Sequence, residues 1–324
     1  MRKPLPSNDL TNIIKLAKVP LKKLKNARIF ITGGTGFIGT WLIESLLFAN
    51  RQLKLNLHLT VLSRYKHTHP DIKFYQGDVR DFIFPSEQFT HIIHAGTPSS
   101  ALTHHGHPEQ VYDIIVNGMK RILEFSSTCG AKELLFLSSG AVYGKHSTPV
   151  DETTLLNPDK NSDYALGKFD AEKMCMDYAG NTAIKIARCF AFVGPHLPLD
   201  QHYAIGNFIL DASTGKKITV KNPAPVYRSY QYAADMVIWL LHILVNGAAK
   251  HPYNVGSGDA ISIIDLAKKV AKLTGSAVVL PNNMGHTMPA DFYVPCVKRA
   301  LRELGLQQTY VLDQAVLKTL EWID

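Results

Sequence analysis

Arg28-Ile29-Phe30-Ile31-Thr32-Gly33-Gly34-Thr35-Gly36-Phe37-Ile38-Gly39 decides how this chain is read. Arg28 to Thr32 is a short run rich in β-formers, the pattern of a buried strand. Gly34-x-Gly36-x-x-Gly39 follows at once, and Phe37 to Phe48 has the apolar content of a helix. Strand, glycine turn and helix in that order are the setting in which a GxGxxG run cradles a dinucleotide. On this reading Gly34 permits the tight turn, Gly36 lets the backbone approach a pyrophosphate, and Gly39 lets helix and strand pack closely. The backbone of Gly33, Gly36, Phe37 and Ile38 then faces the phosphates, because a helix N-terminus offers unpaired N–H groups and partial positive charge.

The 324 residues, 46% apolar and 19% charged, have the composition of a globular protein of one large or two modest domains. No run reaches the length of a membrane span. Residues 1–26 are basic but lack a long apolar core and a small-residue cleavage site, so no secretory leader is read there. Cys129, Cys175, Cys189 and Cys296 lie far apart without a CxxC, which reads as reduced thiols in a cytoplasmic protein. The net charge of +8 suits anionic partners such as nucleotides. Apart from Lys22, Lys23 and Lys25 the charges read as scattered over a solvated surface, and no motif points to nucleic acid.

Outward from the glycine turn, residues 7–26 read as an added helix with Ser7, Asn8 or Asp9 as cap and Pro20 as its end. Its apolar face is small for a membrane-surface helix, so it is expected to pack on the outside of the domain. Leu57 to Leu62 is the second strand. An acid at its end would hold a ribose 2′-hydroxyl, whereas Ser63 and Arg64 stand here and would accept a 2′-phosphate. The cofactor is therefore expected to be NAD or NADP, tilted toward NADP. Ile72 to Gln76 is a third strand leading to Gly77-Asp78-Val79, with Asp78 placed to meet an adenine edge. His91 to Gly96 is a fourth strand, and the small Ala95 and Gly96 at its end suit a close cofactor. Val111 to Ser127 is a helix containing Asn117, and Glu133 to Ser138 is the fifth strand. Strands alternating with helices predict an α/β fold with a parallel, doubly wound sheet of the Rossmann kind. His67, His69, His91, His94, His104, His105 and His107 form no convincing ligand set, so no metal is expected; His104, His105 and His107 read as a loop near the site.

Two segments carry chemistry. Ser138-Ser139-Gly140-Ala141-Val142-Tyr143-Gly144 follows the fifth strand, at the end where ligands bind in this architecture. Tyr164-Ala165-Leu166-Gly167-Lys168 opens a helix, and four-residue spacing puts phenol and amine on one face. A free phenol ionises near pH 10, and a neighbouring ammonium favours the phenolate. Tyr164 is then a general acid and base for an alcohol oxygen, with Ser139 donating a hydrogen bond to that oxygen.

With these motifs the chain resembles the extended short-chain dehydrogenase/reductase family, in its NAD-dependent epimerase/dehydratase branch acting on nucleotide sugars. The matching stretches are Thr32–Gly39, Gly77–Asp81, Asn117-Gly118, Ser138–Gly144, Tyr164–Lys168, Arg188 with Gly194-Pro195, Arg228–Tyr232 and Tyr253–Gly256. The resemblance implies that Ser139, Tyr164 and Lys168 are the catalytic trio and that Asn117 helps hold a water or backbone carbonyl near the lysine. It implies a Rossmann domain over 27–190 plus about 231–250 and a mixed α/β substrate domain over 191–230 and 251–324. It also implies a homodimer joined through a helix bundle. Arg228 is expected to grip a substrate diphosphate, and Asn207 to hydrogen-bond the substrate.

Departures from the family pattern narrow the expected reaction. Family 4,6-dehydratases carry an Asp-Glu pair where Gly140 and Ala141 stand, and the decarboxylases of UDP-glucuronate carry a Glu at Ala141. Both reactions are accordingly disfavoured. Ala191 replaces an Asn of galactose epimerases, and His202 and Tyr203 stand near an extra acid of epimerase-reductases. The expected activity is a cytoplasmic nucleotide-sugar epimerase or 4-ketoreductase serving polysaccharide synthesis. Reduction of a small ketone or alcohol is the second reading, and a non-catalytic cofactor sensor the third.

Overall fold

The computed structural model describes residues 3–97, 108–201, 203–281 and 290–323. They form two compact units. The first holds residues 1–144, 156–189 and 237–253; the second holds 145–155, 190–236 and 254–324.

The first unit opens with helices α1 (Ser7–Leu16) and α2 (Lys18–Lys23), then β1 (Arg28–Thr32), α3 (Phe37–Leu53), β2 (His58–Ser63), β3 (Ile72–Gln76) and β4 (His91–His94). It continues with α4 (Pro108–Thr128), β5 (Glu133–Ser139), a 3-10 turn at Gly140–Tyr143, α5 (Asp163–Asp177) and β6 (Ala183–Cys189). The second unit carries β7 (Phe192–Val193), α6 (Ala204–Ser213), β8 (Ile218–Thr219), β9 (Val226–Arg228) and β10 (Gln231–Tyr232). Next come α7 (Ala233–Asn246), which runs on into the first unit, and β11 (Tyr253–Val255), which begins at that unit's last residue. The chain ends with β12 (Ile261–Ser262), α8 (Ile263–Thr274), β13 (Val278–Val279), β14 (Asp291–Tyr293), α9 (Lys298–Leu304) and α10 (Leu312–Ile323).

The main sheet has the order β11-β6-β5-β4-β1-β2-β3. Every pairing from β3 across to β6 is parallel. The chain moves from β1 outward to β2 and β3, then returns to the other side of β1 for β4. The gap between the C-terminal ends of β1 and β4 is therefore the point where the winding reverses, the place where open α/β sheets bind ligands. The strands are apolar on both faces because helices cover both. Under one face, Phe30 of β1 packs against Phe82, Phe89 and Phe125 with ring centroids 5.6, 5.2 and 4.8 Å away. Among the described residues no helix is long and apolar enough to cross a membrane.

Residues 7–26 are not one helix ended by Pro20. The break falls at Ala17, between α1 and α2. Pro20 is the third residue of α2, where a missing N–H costs nothing because the first turn has no intrahelical acceptor. No side chain caps α1, which starts after Pro6, and Asp9 is fully buried instead. Gln231 and Tyr232 form β10 on β7 before α7 begins.

Candidate active site

The glycine turn joins β1 to α3 at the reversal point. Gly33, not Gly34, takes the left-handed backbone, with φ 71°. A methyl group on Gly33 would also lie 2.3 Å from the carbonyl oxygen of Ala95, so the turn presses directly on the end of β4. Gly34 instead leaves room for Ile43 and Val61, and Gly39 lies against Gly33 and Gly34, the close packing expected of it. Gly36 differs from these. It precedes α3 at φ −80°, and among the described residues a methyl there would meet only the Gly33 oxygen, at an ordinary 3.5 Å. No packing among the described residues requires glycine at 36. The bare backbone leaves open the space in front of α3, whose first turn has no side-chain cap. That bare-backbone cradle at a helix N-terminus fits a pyrophosphate.

Thr32 ties the two strand ends together. Its hydroxyl accepts a hydrogen bond from the Gly96 N–H at 2.8 Å and lies 2.8 Å from Nδ1 of His94. His94 is fully buried, stacks on Phe136 at 5.7 Å, and burial pushes it down to about 3, so it is neutral. This clamp fixes Ala95 and Gly96 beside the glycine turn.

Ser63 and Arg64 follow β2 as expected. Ser63 is nearly buried and its hydroxyl accepts the Tyr65 N–H at 3.2 Å. Arg64 is exposed, with its guanidinium 5.7 Å from the Tyr65 ring. Asp78 is held by Arg80, which reaches both of its oxygens at 2.9 and 3.1 Å. That hydrogen-bonded guanidinium holds the Asp78 carboxyl below the usual carboxylate range. Val79 lines the core beside Gly118. Asn117 does not join this group: its exposed side chain donates to Asp113 at 2.5 Å, and Asp113 also accepts from Arg80 at 2.7 Å. The face of α4 toward α5 is apolar instead, with Ile115 against Gly167. Helical phase decides this, since Asn117 lies about 200° around the helix from Ile115.

The phenol and amine come from α5, capped by Ser162, whose hydroxyl accepts the Ala165 N–H at 3.2 Å. Lys168 is fully buried and donates to the Leu137 carbonyl of β5 at 2.6 Å. Its nitrogen lies 5.9 Å from the centre of the Tyr164 ring and 4.9 Å from that of Phe136. Burial lowers Lys168 to about 7, against the opposing pull of Cys189, Glu172 and Cys175. Tyr164 is half-buried against the core, and Ser139 ends β5, its hydroxyl accepting the Ala141 N–H at 3.2 Å. Ser139, Tyr164 and Lys168 thus lie on elements packed together in one unit.

Behind them is an ion pair that the sequence reading did not assign. Arg188 and Glu172 are 4% and 3% exposed. Arg188 donates through Nε to both carboxylate oxygens at 3.0 and 3.1 Å and through Nη2 at 2.7 Å. Its Nη1 donates to the Tyr143 hydroxyl at 2.9 Å, and Ser138 Oγ donates to Glu172. The spacing Tyr164-x-x-x-Lys168-x-x-x-Glu172 was the available signal, three residues on one helical face.

In the second unit, Arg228 donates to Asp291 at 3.0 Å across the parallel β9–β14 pair. Asn207 is half-buried on α6. His104, His105, His107 and His202 lie outside the described residues.

The sequence pattern of the NAD dependent epimerase/dehydratase family matches residues 29–256. The chain belongs to this family. It is 29% identical over 315 residues to UDP-glucuronic acid decarboxylase 3 of Arabidopsis thaliana, covering 92% of this chain and 90% of that one. Its fold superposes on an epimerase of Methanothermobacter thermautotrophicus with TM-score 0.80 at 20% identity, over 96% of both chains. It also superposes on a dTDP-glucose 4,6-dehydratase of Bacillus anthracis, crystallised with NAD, with TM-score 0.74 at 18% identity, over 91% of this chain and 96% of that one.

These relatives overturn the expectation that Gly140 and Ala141 disfavour decarboxylation and dehydration. Sequences named as decarboxylases align along nearly the whole chain, and a dehydratase shares the fold. The physical weakness of the earlier argument is clearest for decarboxylation. A carboxylate β to a ketone loses carbon dioxide into the carbonyl as electron sink, so a missing glutamate at 141 does not forbid the step.

Proposed function

We propose that the chain oxidises a hydroxyl at C4 of the sugar in a nucleotide sugar, with Tyr164 as general acid and base, and completes its turnover without net consumption of cofactor. The observation that supports this most is Lys168, fully buried one helical turn from Tyr164 and anchored on the strand that ends in Ser139. A bound nicotinamide dinucleotide supplies the hydride acceptor and donor. The backbone of Gly33, Gly36, Phe37 and Ile38 would hold its phosphates, Ala95 and Gly96 would border it, and Ser63, Arg64, Asp78 and Val79 would receive its adenosine half.

Tyr164 takes the proton from the sugar hydroxyl, and Ser139 donates a hydrogen bond to the same oxygen. A protonated Lys168 favours the phenolate, and moving a phenol from 10 to near 7 takes about 4 kcal/mol. Tyr164 later returns its proton to the ketone oxygen. Between those two transfers the sugar is inverted or, if it is a uronic acid, loses carbon dioxide, its bond electrons passing into the ketone as an enolate that then takes a proton from water at the carbon that carried the carboxylate. The named relatives make UDP-glucuronate the first substrate to offer. Arg228 and Asn207 are the candidates for diphosphate and sugar contacts. A second reading, reduction of a 4-keto sugar by NADPH, is favoured by Ser63 and Arg64, which supply no acid against a 2′-phosphate.

The test is incubation with NAD, then NADPH, and a panel of UDP-hexoses, UDP-glucuronate and 4-keto sugars. Product without net change in cofactor absorbance is expected, and Tyr164→Phe should lower turnover about 10²–10⁴-fold. Stoichiometric NADPH oxidation would establish the second reading. An active Tyr164→Phe variant would remove the proposed acid and base.

A further inference from the structure

We infer that α1 and α2 form a cationic face that seats the enzyme on an anionic lipid surface. Apart from Lys22, Lys23 and Lys25 the charges read as scattered in the sequence. In fact residues 1–28 hold eight of the 35 basic residues and one of the 27 acids, so they carry +7 of the net +8. The other 296 residues are almost neutral. The single acid, Asp9, is fully buried. This cationic segment precedes the stretch matched by the family pattern, which starts at residue 29.

The two helices divide their faces sharply. Leu10, Ile13, Ala17, Leu21 and Leu24 are buried, and α1 packs on α3. The small apolar face that argued against membrane contact is thus spent on the domain. The exposed positions carry the lysines. Lys15 lies in α1, Lys18 and Lys22 one turn apart in α2, and Lys25 just beyond it. All four are exposed, and none makes an ion pair among the described residues. Leu16 and Val19 stand among them, 39% and 64% exposed.

Unpaired lysines with exposed aliphatic side chains between them suit anionic headgroups over a hydrocarbon boundary. Nucleic acid is less well served. Residues 15–25 contain no aromatic ring to stack on a base and no arginine to fork onto a phosphate or guanine. The inference stands apart from the proposed chemistry, since none of these residues belongs to the candidate active site.

The test is co-sedimentation of the full chain with vesicles of phosphatidylcholine alone or with about 30 mol% phosphatidylserine. Binding only to the anionic vesicles is expected at about 0.1 M salt, with release at about 0.5 M. Replacing Lys15, Lys18, Lys22 and Lys25 by Gln should cost about fivefold in partitioning per lysine, over a hundredfold for all four. The same change at exposed Lys216, Lys217, Lys221 and Lys298 should leave it within about twofold. Val19→Ser should weaken vesicle binding but not binding to soluble polyphosphate. Equal binding to both vesicles, no binding, or equal losses in the two lysine sets would overturn the inference. So would tighter binding to single-stranded RNA than to anionic vesicles.

Discussion

Glu172→Gln isolates what the buried ion pair contributes. Glutamine keeps the size of the side chain and one acceptor oxygen, so Ser138 retains a partner. Arg188 loses its counter-charge while buried and keeps only neutral acceptors, the Tyr143 hydroxyl at 2.9 Å and the one remaining oxygen at residue 172. A guanidinium cannot escape by giving up its proton. Breaking one side of a buried pair costs about 3–5 kcal/mol, mostly from the stranded charge. Against a typical domain stability of about 5–15 kcal/mol that is about a fifth of the total or more. At about 2–4 °C per kcal/mol for a domain of this size, the melting temperature should fall by about 6–20 °C.

Urea and thermal unfolding followed by circular dichroism read this directly, with the midpoints taken for the transition of the first unit. A second variant separates stranded charge from lost packing. Glu172→Leu with Arg188→Met removes both charges and fills the space, so it should be clearly more stable than Glu172→Gln. A single-variant loss below about 1 kcal/mol, the level of an exposed pair, would refute the argument. A double variant as unstable as the single one would show that shape, not charge, holds the site.

Lys168→Met should be more stable than the wild type below pH 7, with the gap closing toward pH 10. The reason is that Lys168 ionises at about 7 when folded and near 10.4 when unfolded. Below 7 both states carry the charge and the fold bears the full burial penalty. Between 7 and 10.4 the unfolded chain binds more protons, so wild-type stability rises with pH, by roughly 5 kcal/mol if the whole shift is expressed; parallel urea curves for the two proteins at pH 6 and 9.5 would contradict this. Gly36→Val should change stability by less than about 1 kcal/mol, yet weaken dinucleotide binding at least about tenfold by calorimetry, because the packing at 36 is open on the protein side. Gly33→Ala should instead destabilise the fold itself, and normal thermal stability in that variant would refute the close approach to Ala95.

The parallel sheet was legible because its signals are local: β-rich runs, a glycine turn, and helices between them. What the spacing could not assign was the division of labour within the turn. Three glycines in a GxGxxG frame look alike, and the left-handed position falls on the glycine before them. Asn117 failed for a related reason. Its place beside Gly118 matches a family stretch, but the phase of α4 turns it toward Asp113 and Arg80 and gives Ile115 the place against α5. Long-range partners were beyond reach. Arg188 lies on β6, and only the assembled sheet brings it under Glu172.

The error about Gly140 and Ala141 has a different cause. A residue missing from one loop was treated as a reaction missing from the enzyme. In the proposed reaction Tyr164, Ser139 and Lys168 serve the transfer of one proton and one hydride at a sugar carbon. What the ketone does next depends first on the sugar, because its own carbonyl can accept the electrons of a departing carboxylate. The trio therefore constrains the step shared across the family, while the sugar-binding residues decide the product. Arg228, the candidate proposed for those contacts, has its guanidinium tied to Asp291 at 3.0 Å. If Arg228 grips a diphosphate, that ligand competes with the Asp291 carboxylate for the same donors. Asp291→Asn removes the competing charge and should tighten UDP binding several-fold, while Arg228→Ala should weaken it by about 1.5–3 kcal/mol. Unchanged UDP affinity in both variants would move the diphosphate site elsewhere and leave Arg228 as a strand-to-strand tie.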